Sequence, residues 1–492
     1  MDPKALAREL QSILGPDGFL DSPAKRLSYE SDGLGILRET PQWVLLPADT
    51  QETARCMVLL AEAGIPIAPR GAGTGLSGGA TPIAGGVSIV TTRMRRILEI
   101  DPENRVARVQ AGVINAELSR AAERHGLFYA PDPSSQMACT LGGNFAENSG
   151  GPHGFKHGAT SRHVRGAMWV NHAGQIIDLT EPAVDPEGLD VLGLLVGSEG
   201  MFGMATELVF DLVPIPESIE TLLAIFPTLG AACESVTDLI AKGMQPSAIE
   251  ILDKLTIMAV EQSVFAAGYP RDAEAVLLMD VDGTANEVRG EVRSLQGLLK
   301  EHGAIEQRSA SSEEERRKLW AGRKGAYGAM GRIAPDLYVA DVVAPRMRLA
   351  EIVQIATDTC AELKLVCANV FHAGDGNLHP NISYDRRDPD QVRRVLLAGQ
   401  RIMEACVERG GSLTGEHGVG LEKRDHMCLM FTDVDLAVQN LPRLALDPDQ
   451  RMNPGKMLPV RGCREVRTRS PYLPGMAGYE EQYDGKDQGG RA

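Results

Sequence analysis

Two histidines and one carboxylate stand in glycine-rich segments near the end of the sequence, where they could bind a metal ion. His372 and His379 are seven positions apart with two glycines between them, so one loop can turn both imidazoles towards one ion. Glu416 lies in a second glycine-rich segment, residues 414–420. Two imidazoles and a carboxylate leave one coordination position open, which suits a zinc or manganese ion that takes part in chemistry. The alternative is a pair of structural turns.

The residue after this carboxylate is a candidate base. A divalent metal beside His417 could activate water for hydrolysis, or it could bind a substrate hydroxyl and lower the pKa of that hydroxyl. Arg323 adds a guanidinium that can bind a carboxylate through two parallel hydrogen bonds. It could instead pair with the acidic residues 313–315 of the same predicted helix. The spacing of these residues leaves both questions open.

A loop of small residues at 70–79, with the sequence RGAGTGLSGG, predicts a binding site for an anion. It contains the G-x-G-x-x-G spacing of dinucleotide-binding folds, but that motif requires a helix that begins at its third glycine. Here a proline and two glycines follow within residues 82–86, and then a predicted strand. Backbone N–H groups and Arg70 can still hold a phosphate without a helix. The alternative is a flexible turn between strands.

A second stretch of small and polar residues, 131–151, strengthens the case for a cofactor. Its glycines allow close approach of the backbone, and its hydroxyl and amide side chains supply hydrogen bonds. Two such loops predict a large polar cofactor, a dinucleotide of some kind. A metal and a base beside such a cofactor favour removal of hydride from an alcohol, because the O–H proton must leave as well.

The predicted elements alternate between helix and strand. In the first part of the chain we expect a helix at 5–14, a helix capped by Thr50 and ended by Gly64, and strands at 65–69, 87–92 and 106–113. Prolines near residue 215 predict a domain boundary. In the second part we expect strands at 275–282 and 365–370, and helices at 287–302, 311–324, 351–363 and 392–407.

Composition narrows the class of protein. A length of 492 residues predicts two or three domains. A net charge of −16 and 4% aromatic residues argue against nucleic acid as a partner. We find no apolar run of membrane-spanning length and no leader-like start, and expect a cytoplasmic protein, with peripheral membrane association left open. The eight cysteines form no CxxC pair, so we expect buried, reduced thiols and place any iron–sulfur relay on another chain.

Six motifs, in order along the chain, resemble the FAD-linked 2-hydroxy-acid dehydrogenases of the vanillyl-alcohol-oxidase-type flavoproteins. They lie at 70–79, 131–151, 197–200, 372–379, 415–418 and 453–456. Within that family, PDPSSQ at 131–136, WAGRK at 320–324 and MNPGKMLP at 452–459 most resemble the flavoprotein subunits of bacterial glycolate oxidases. The likeness extends from about residue 20 to 460 and includes the segments between the motifs.

The resemblance implies an α+β, two-domain FAD-binding fold with a C-terminal ferredoxin-like cap domain. The expected organisation is an N-terminal helical segment (1–40), an FAD-binding domain (41–215) and a substrate domain with the metal site (216–425). A C-terminal return to the FAD domain (426–460) and a loosely ordered tail (461–492) follow.

The resemblance also implies roles for individual residues. His372, His379 and Glu416 would bind the metal, Arg323 the substrate carboxylate with Asn381 near it, and His417 would be the base. The FAD pyrophosphate would lie on residues 71–79. The residues expected to line the FAD site are Arg70, Gly71, Ala72, Gly73, Thr74, Gly75, Leu76, Ser77, Gly78, Gly79, Pro131, Ser135, Gly142, Gly143, Asn144, Asn148, Gly150, Gly151, Glu199 and Asn453.

Two departures from the family pattern refine the expectation. Relatives with covalent flavin attach it to a histidine in the first glycine loop, and residues 69–80 contain none, so we expect non-covalent FAD. Relatives that act on 2-hydroxyglutarate carry a lysine where this chain has Ala340, just before Asp341. That difference favours a small monocarboxylate such as glycolate or D-lactate.

The expected activity is therefore oxidation of glycolate to glyoxylate, with metal-assisted removal of the hydroxyl proton and hydride transfer to flavin N5. Electrons would pass to an iron–sulfur subunit or a quinone, in a complex with a second FAD-type subunit. D-lactate and then D-2-hydroxyglutarate are the alternative substrates. A metallohydrolase, or a non-catalytic flavin subunit, would be a protein of another class.

Overall fold

The structure is a computed structural model that describes residues 2–180, 188–310, 312–460 and 462–463. The chain divides into two compact units. Unit 1 comprises residues 2–150, 158–215 and 416–463, and unit 2 comprises residues 151–157 and 216–415, apart from the gaps given above. The change of unit after Ile215 falls at the proline-rich break expected from the sequence. Ser311 and the tail expected at 461–492, apart from two residues, lie outside the described residues.

The strands are β1 (Phe19–Leu20), β2 (Trp43–Leu45), β3 (Ile67–Arg70), β4 (Val87–Val90), β5 (Ile97–Asp101), β6 (Val106–Gln110), β7 (Leu127–Phe128), β8 (Val164–Asn171), β9 (Ile176–Leu179), β10 (Gly203–Asp211), β11 (Val213–Pro214), β12 (Ser218–Phe226), β13 (Ala248–Asp253), β14 (Ala275–Gly283), β15 (Glu306–Ser309), β16 (Asp336–Val339), β17 (Val342–Val343), β18 (Val366–His372), β19 (Asn377–Leu378) and β20 (Pro380–Tyr384).

The helices are α1 (Pro3–Leu14), α2 (Pro23–Leu27), α3 (Thr50–Glu62), α4 (Asn115–Ala122), α5 (Leu141–Glu147), α6 (Gly154–His157), α7 (Val191–Leu195), α8 (Leu229–Ala241), α9 (Lys254–Glu261), α10 (Ala285–Glu301), α11 (Glu313–Lys324), α12 (Ala326–Met330), α13 (Leu349–Glu362), α14 (Pro389–Glu408), α15 (Asp433–Gln439) and α16 (Leu441–Leu446).

Unit 1 is built on two sheets. The first has the strand order β1-β2-β4-β3, and β4 runs parallel to both β2 and β3. Its core includes Leu10 of α1, Leu60 of α3 and Ile89 of β4, so the two amphipathic helices bury their apolar faces with this sheet. The second sheet is antiparallel with the order β5-β6-β10-β8-β9, and its core contains Phe145 and Trp169.

Unit 2 is built on one large antiparallel sheet. Its main path is β15-β12-β14-β13-β18-β19-β17, and β20 pairs with both β18 and β16. Strands β13 and β14 are buried on both faces, which explains their almost continuous apolar sequences. His372 is the last residue of β18, and His379 lies between β19 and β20.

Most of the expected elements are confirmed, with corrections at their ends. The first helix, the strand at 275–282 and the helices at 287–302 and 392–407 correspond to α1, β14, α10 and α14. Asp49, not Thr50, caps α3, and its carboxylate accepts the N–H of Glu52 at 2.8 Å. The stretch 131–151 is not a continuous loop, because α5 lies within it. Thr140 caps that helix by accepting the N–H of Gly143.

One cysteine prediction is wrong. Cys428 and Cys463 form a disulfide, with Cα atoms 5.3 Å apart although 35 positions separate them in the chain. The other six cysteines are buried and free, as expected. The C-terminal return of the chain brings this pair together, which spacing cannot reveal. None of the helices in the described ranges combines the length and apolar composition needed to cross a membrane.

Candidate active site

The two small-residue loops of unit 1 meet at two points. The first loop leaves β3, and a side chain on Gly71 would collide with the hydroxyl of Thr140 at the start of α5. At the other end of that loop, a Cβ on Gly79 would lie 2.9 Å from Oε1 of Glu147, the last residue of α5. A side chain at either position would have to displace its neighbour, so the two loops pack closely and form one wall.

A cavity lies between these loops and the second sheet of unit 1. It is lined by backbone and small side chains of the first loop, by α5 and by residues around the start of β10. The lining residues are Pro69, Arg70, Gly71, Gly79, Ala80, Thr91, Gly142, Gly143, Phe145, Ala146, Glu147, Trp169, Glu199, Gly200, Gly203, Met204 and Ala205. The cavity thus includes six residues expected to line a cofactor site, Arg70, Gly71, Gly79, Gly142, Gly143 and Glu199.

Arg70 supports the first loop from within the protein. Its guanidinium is buried and donates to the carbonyl of Ser31 at 2.8 Å, and it lies over the ring of Tyr29. Burial lowers the pKa of Arg70, although the nearby carboxylate of Asp32 opposes this effect. The middle of the loop, Ala72, Gly73, Thr74, Gly75 and Leu76, is half-buried, whereas Ser77 and Gly78 are buried.

The C-terminal return supports the same loop from the other side. Asn453 donates its amide N–H to the carbonyl of Glu199 at 2.6 Å and to that of Gly79 at 3.3 Å. Lys456 donates to the carbonyls of Gly79 and Thr81 at 2.7 and 2.6 Å. Because Lys456 is fully buried, desolvation lowers its pKa to about 7, despite the carboxylates around it.

Glu147 and Glu199 form a pair of buried carboxyl groups in the cavity wall. Glu199 accepts the N–H groups of Val419 and Gly420, both at 2.7 Å. Oε2 of Glu147 accepts no hydrogen bond within the described part of the chain. Burial raises the pKa of Glu147 well above its ordinary value, and the charges of Glu199 and Asp32 raise it further. Burial also raises the pKa of Glu199, but the hydrogen bonds from Val419 and Gly420 oppose this rise, so Glu147 is the member of the pair that holds a proton more readily.

The segment expected to carry a ligand and a base begins the last part of unit 1. A Cβ on Gly150 would lie 2.8 Å from Oε2 of Glu416, so this carboxylate packs directly on the second loop. A Cβ on Gly418 would lie 2.6 Å from Oε2 of Glu147 and 2.7 Å from Oε1 of Glu199. His417, which is half-buried, stands between these two contacts in the chain.

Some residues expected at the cofactor also form hydrogen bonds that brace the second loop. Asn144 is buried and its amide bonds to Asn115 at 3.0 Å and to Sγ of Cys139 at 3.4 Å. The carbonyl of Pro131 accepts a hydrogen bond from the same Asn115. The carbonyl of Ser135 accepts the N–H of Cys139 at 2.8 Å.

The C-terminal end of this loop contains two unusual backbone conformations. Asn148 adopts a left-handed conformation after α5 and its side chain accepts the N–H of Ser161. Gly151 has a φ of 140°, which favours glycine, and it begins the short stretch of unit 2 that ends at His157. Both residues lie close to the point in the sequence where unit 1 is followed by unit 2.

The imidazoles of His372 and His379 lie together in unit 2. Their ring centroids are 5.1 Å apart and the rings are perpendicular. Both residues are buried. Nδ1 of His372 lies 2.5 Å from Oε1 of Glu250, a hydrogen bond that leaves Nε2 as the nitrogen suited to bind a metal. These features fit a cation-binding pair of imidazoles.

Arg323 contacts the same carboxylate. Its Nε lies 2.5 Å from Oε2 of Glu250, and both side chains are fully buried. The expected alternative, a pair between Arg323 and residues 313–315, is wrong, because those residues lie at the other end of α11 and Arg316 and Arg317 pair with Glu313. Burial raises the pKa of Glu250, but the charges of Arg323 and His372 outweigh burial and lower it.

Asn381 and Asp341 complete the unit 2 part of the candidate site. Asn381 is buried on β20 and donates to the carbonyl of His379 at 2.6 Å. Asp341 accepts the hydroxyl of Thr414 at 2.7 Å and the N–H of Gly415 at 2.9 Å, immediately before Glu416 in the chain. Ala340, where some relatives have lysine, is buried.

Three charged residues of the site were not predicted as site residues from the sequence: Glu147, Glu250 and Lys456. Glu250 carried a usable signal, since it is the only charged side chain within the apolar run AIEIL of β13. Glu147 and Lys456 stand in small, polar segments where a charge is expected on the surface. Their burial follows from the packing of the two loops and the C-terminal return.

Comparison with known proteins places these features in context. Residues 41–180 match the model of an FAD binding domain, and residues 215–457 match that of the C-terminal domain of FAD linked oxidases. The chain is 42% identical to the glycolate oxidase subunit GlcD of Escherichia coli strain K12, over 91% of this chain and 90% of that one. It is 39% identical to GlcD of Bacillus subtilis strain 168, over 92% and 97% of the two chains.

A more distant sequence relative supports the family, and a solved structure supports the fold. A D-lactate dehydrogenase of Anaerostipes hadrus is 32% identical over 87% of this chain and 92% of its own length. The 4-ethylphenol oxidase of Gulosibacter chungangensis has a TM-score of 0.78 at 18% identity, over 93% of this chain and 98% of that one. The expected α+β FAD-binding fold and the expected family resemblance are therefore confirmed.

Proposed function

The chain belongs to the family of FAD-linked oxidases, and from this premise we propose that it oxidises a small 2-hydroxy acid, most specifically glycolate to glyoxylate. The structural observation that carries the proposal is the contact of Gly418 with Glu147 and Glu199. It sets the proposed base, His417, one residue from the wall of the cavity proposed for FAD. An acid–base group beside a flavin site is what oxidation of an alcohol requires.

FAD would bind non-covalently in the unit 1 cavity. The backbone N–H groups of residues 71–79 suit its pyrophosphate, and Gly142 and Gly143 allow close approach of the cofactor. The other expected lining residues, from Pro131 to Gly151, shape the second loop. When bound, FAD supplies the acceptor for the hydride that leaves C2 of the substrate.

His372, His379 and Glu416 would hold a divalent cation, zinc or manganese. Their donor set fits such an ion, since it joins two imidazoles and one carboxylate, and the two rings lie together in unit 2. Such an ion lowers the pKa of a hydroxyl bound to it. Asp341 accepts hydrogen bonds from residues 414 and 415 and so restrains the backbone immediately before Glu416.

The side chains of this chain would handle the substrate in two steps. Arg323 binds the carboxylate, with Asn381 near it, and thereby orients C2. His417 then takes the hydroxyl proton onto its imidazole while the C2 hydride leaves, so that one proton and one hydride convert glycolate to glyoxylate. Ala340 cannot itself supply a cation to meet a second carboxylate, which favours a monocarboxylate over 2-hydroxyglutarate.

D-lactate is the second candidate substrate, and the similarity to a D-lactate dehydrogenase supports it. Electrons would leave the reduced cofactor to an iron–sulfur subunit or a quinone, in a complex that also contains a second FAD-type subunit. We propose a cytoplasmic location with at most peripheral association with the membrane.

Anaerobic reduction tests this proposal. The purified, FAD-loaded protein is mixed separately with glycolate, D-lactate and D-2-hydroxyglutarate, and the visible flavin band is followed. Glycolate should bleach it fastest. Faster bleaching by D-lactate would select the second candidate, and faster bleaching by 2-hydroxyglutarate would contradict the argument from Ala340. His417→Ala should retain FAD and slow bleaching by roughly 10²–10⁴-fold.

A further inference from the structure

We propose that Glu250 is a positioning residue that fixes the carboxylate-binding Arg323 and the metal ligand His372 in one arrangement. This inference rests on the proposed function and adds a residue to it. The same carboxylate contacts both side chains, Oε2 to Nε of Arg323 and Oε1 to Nδ1 of His372, each at 2.5 Å. One group therefore sets the relative position of two substrate-binding functions.

The first contact follows from strand register. Glu250 of β13 and His372 of β18 are direct partners across two antiparallel strands. Such partners project on the same face of the sheet with their Cβ atoms close together. Glu250 itself is fully buried, so its carboxylate is held away from bulk solvent.

The second contact follows from the anchoring of α11. The hydroxyl of Tyr269 donates to the carbonyl of Leu319, and Nε1 of Trp320 donates to Asp280 of β14 at 2.8 Å. These bonds hold the second half of α11 against Tyr269 and β14, which belong to the same unit. Arg323 is thereby presented to Glu250 as a fully buried side chain. Its long side chain loses little additional freedom when substrate arrives.

The contacts also select which atoms face the reaction. Because Nε of Arg323 is bonded to Glu250, recognition of a substrate carboxylate falls to its two Nη groups, which can bind it bidentately. Because Nδ1 of His372 is bonded, metal coordination falls to Nε2. A carboxylate that accepts from the second nitrogen of a metal-binding histidine fixes the ring and makes it a better ligand.

Three variants of the FAD-loaded protein test this role. Glu250→Gln keeps the size of the side chain but removes its charge, and Glu250→Asp keeps the charge on a shorter chain. Glu261→Gln is the matched control. Glu261 is another buried carboxylate of unit 2, and it accepts three backbone N–H groups, from Ala267, Gly268 and Tyr269. It also shares the structural neighbourhood of α11.

The measurements are Mn²⁺ affinity, from the electron paramagnetic resonance signal of the free ion, and KM and kcat for glycolate. We expect Glu250→Gln to bind Mn²⁺ about 10–100-fold more weakly, as loss of such a supporting carboxylate does elsewhere. Its KM should rise more than its kcat falls, because a misoriented Arg323 weakens binding of the substrate carboxylate, a step that precedes the reaction. FAD content should be unchanged. Glu250→Asp should recover part of both losses, and Glu261→Gln should bind Mn²⁺ as the wild type does.

The inference is overturned if Glu250→Gln binds Mn²⁺ as tightly as the control does, or if the wild type binds none. Should Glu250→Gln fail to fold, Glu250→Asp decides the same question through its Mn²⁺ affinity. Failure of the proposed function looks different. In that case no 2-hydroxy acid reduces the flavin of the wild type, while Mn²⁺ affinity still depends on Glu250.

Discussion

Gly150 lies against Glu416 so closely that a Cβ on the glycine would be 2.8 Å from Oε2 of the carboxylate. The second small-residue loop, which forms part of the proposed FAD site, thus touches a proposed metal ligand. Both residues belong to unit 1. Binding of the two proposed cofactors therefore depends on one shared contact in this unit.

Replacing Gly150 with alanine should displace Glu416. The φ of Gly150 is not positive, so alanine meets no backbone strain and the effect is purely steric. We expect Mn²⁺ affinity to fall by about tenfold or more, as for loss of a ligand's orientation. Gly290→Ala is the control, because a Cβ on Gly290 of α10 has open space around it. Equal Mn²⁺ affinity in the two variants would contradict the prediction.

Replacing Gly142 with alanine should empty the proposed FAD site. A Cβ at this position would lie 2.7 Å from Cβ and 2.8 Å from the carbonyl oxygen of Ala111, so α5 must move. Since Gly142 and Gly143 line the cavity, the movement changes its wall. We expect FAD affinity to fall by about tenfold or more, a loss of roughly 1.4 kcal/mol. The measurement is fluorescence titration of apo-protein with FAD, and Gly297→Ala on α10 should bind FAD normally.

Glu147→Gln should stabilise the apo-protein at neutral and alkaline pH. The pKa of Glu147 is raised in the folded state, so the native chain keeps a proton that the unfolded chain releases above its ordinary value. The wild type therefore loses stability as pH rises from that value to the raised one. Glutamine stays neutral and removes this loss.

Thermal unfolding of apo-protein at pH 4, 6 and 8 tests the prediction for Glu147. The midpoint of Glu147→Gln relative to wild type should rise with pH. Glu117→Gln, a change at an exposed position of α4, should show no such trend. A parallel trend in wild type and Glu147→Gln would mean that Glu147 does not hold a proton.

His426 should make the protein sensitive to mild acid. Burial lowers its pKa from 6.5 to about 4, so the unfolded chain takes up a proton before the native chain does. Stability from this residue is present above pH 6.5 and is lost as pH falls to 4, by up to about 3 kcal/mol. In urea unfolding, His426→Gln should lose less stability than wild type between pH 7 and pH 4. The exposed change His125→Gln should behave as wild type.

Local sequence patterns sufficed for the elements and for the chemistry of the loops. The alternation of apolar residues predicted α1, α10, α14 and β14, because a buried face imposes its period on the sequence. The proline and two glycines within residues 82–86 excluded a helix there, and β4 follows instead. The family was also recognisable, since six of its motifs occur in order along the chain.

The sequence did not determine which residues far apart in the chain contact each other. From the sequence, Arg323 could bind a substrate or pair with residues 313–315, but in the structure it contacts Glu250. The register of β13 with β18 pairs the same Glu250 with His372. The disulfide between Cys428 and Cys463 and the burial of Lys456 arise in the same way. Residue types and local periods set which groups are available and which elements they occupy. Only tertiary packing brings groups that are far apart in the chain within hydrogen-bonding distance and removes water from them. Both effects shift the pKa values of these groups and so determine their charges.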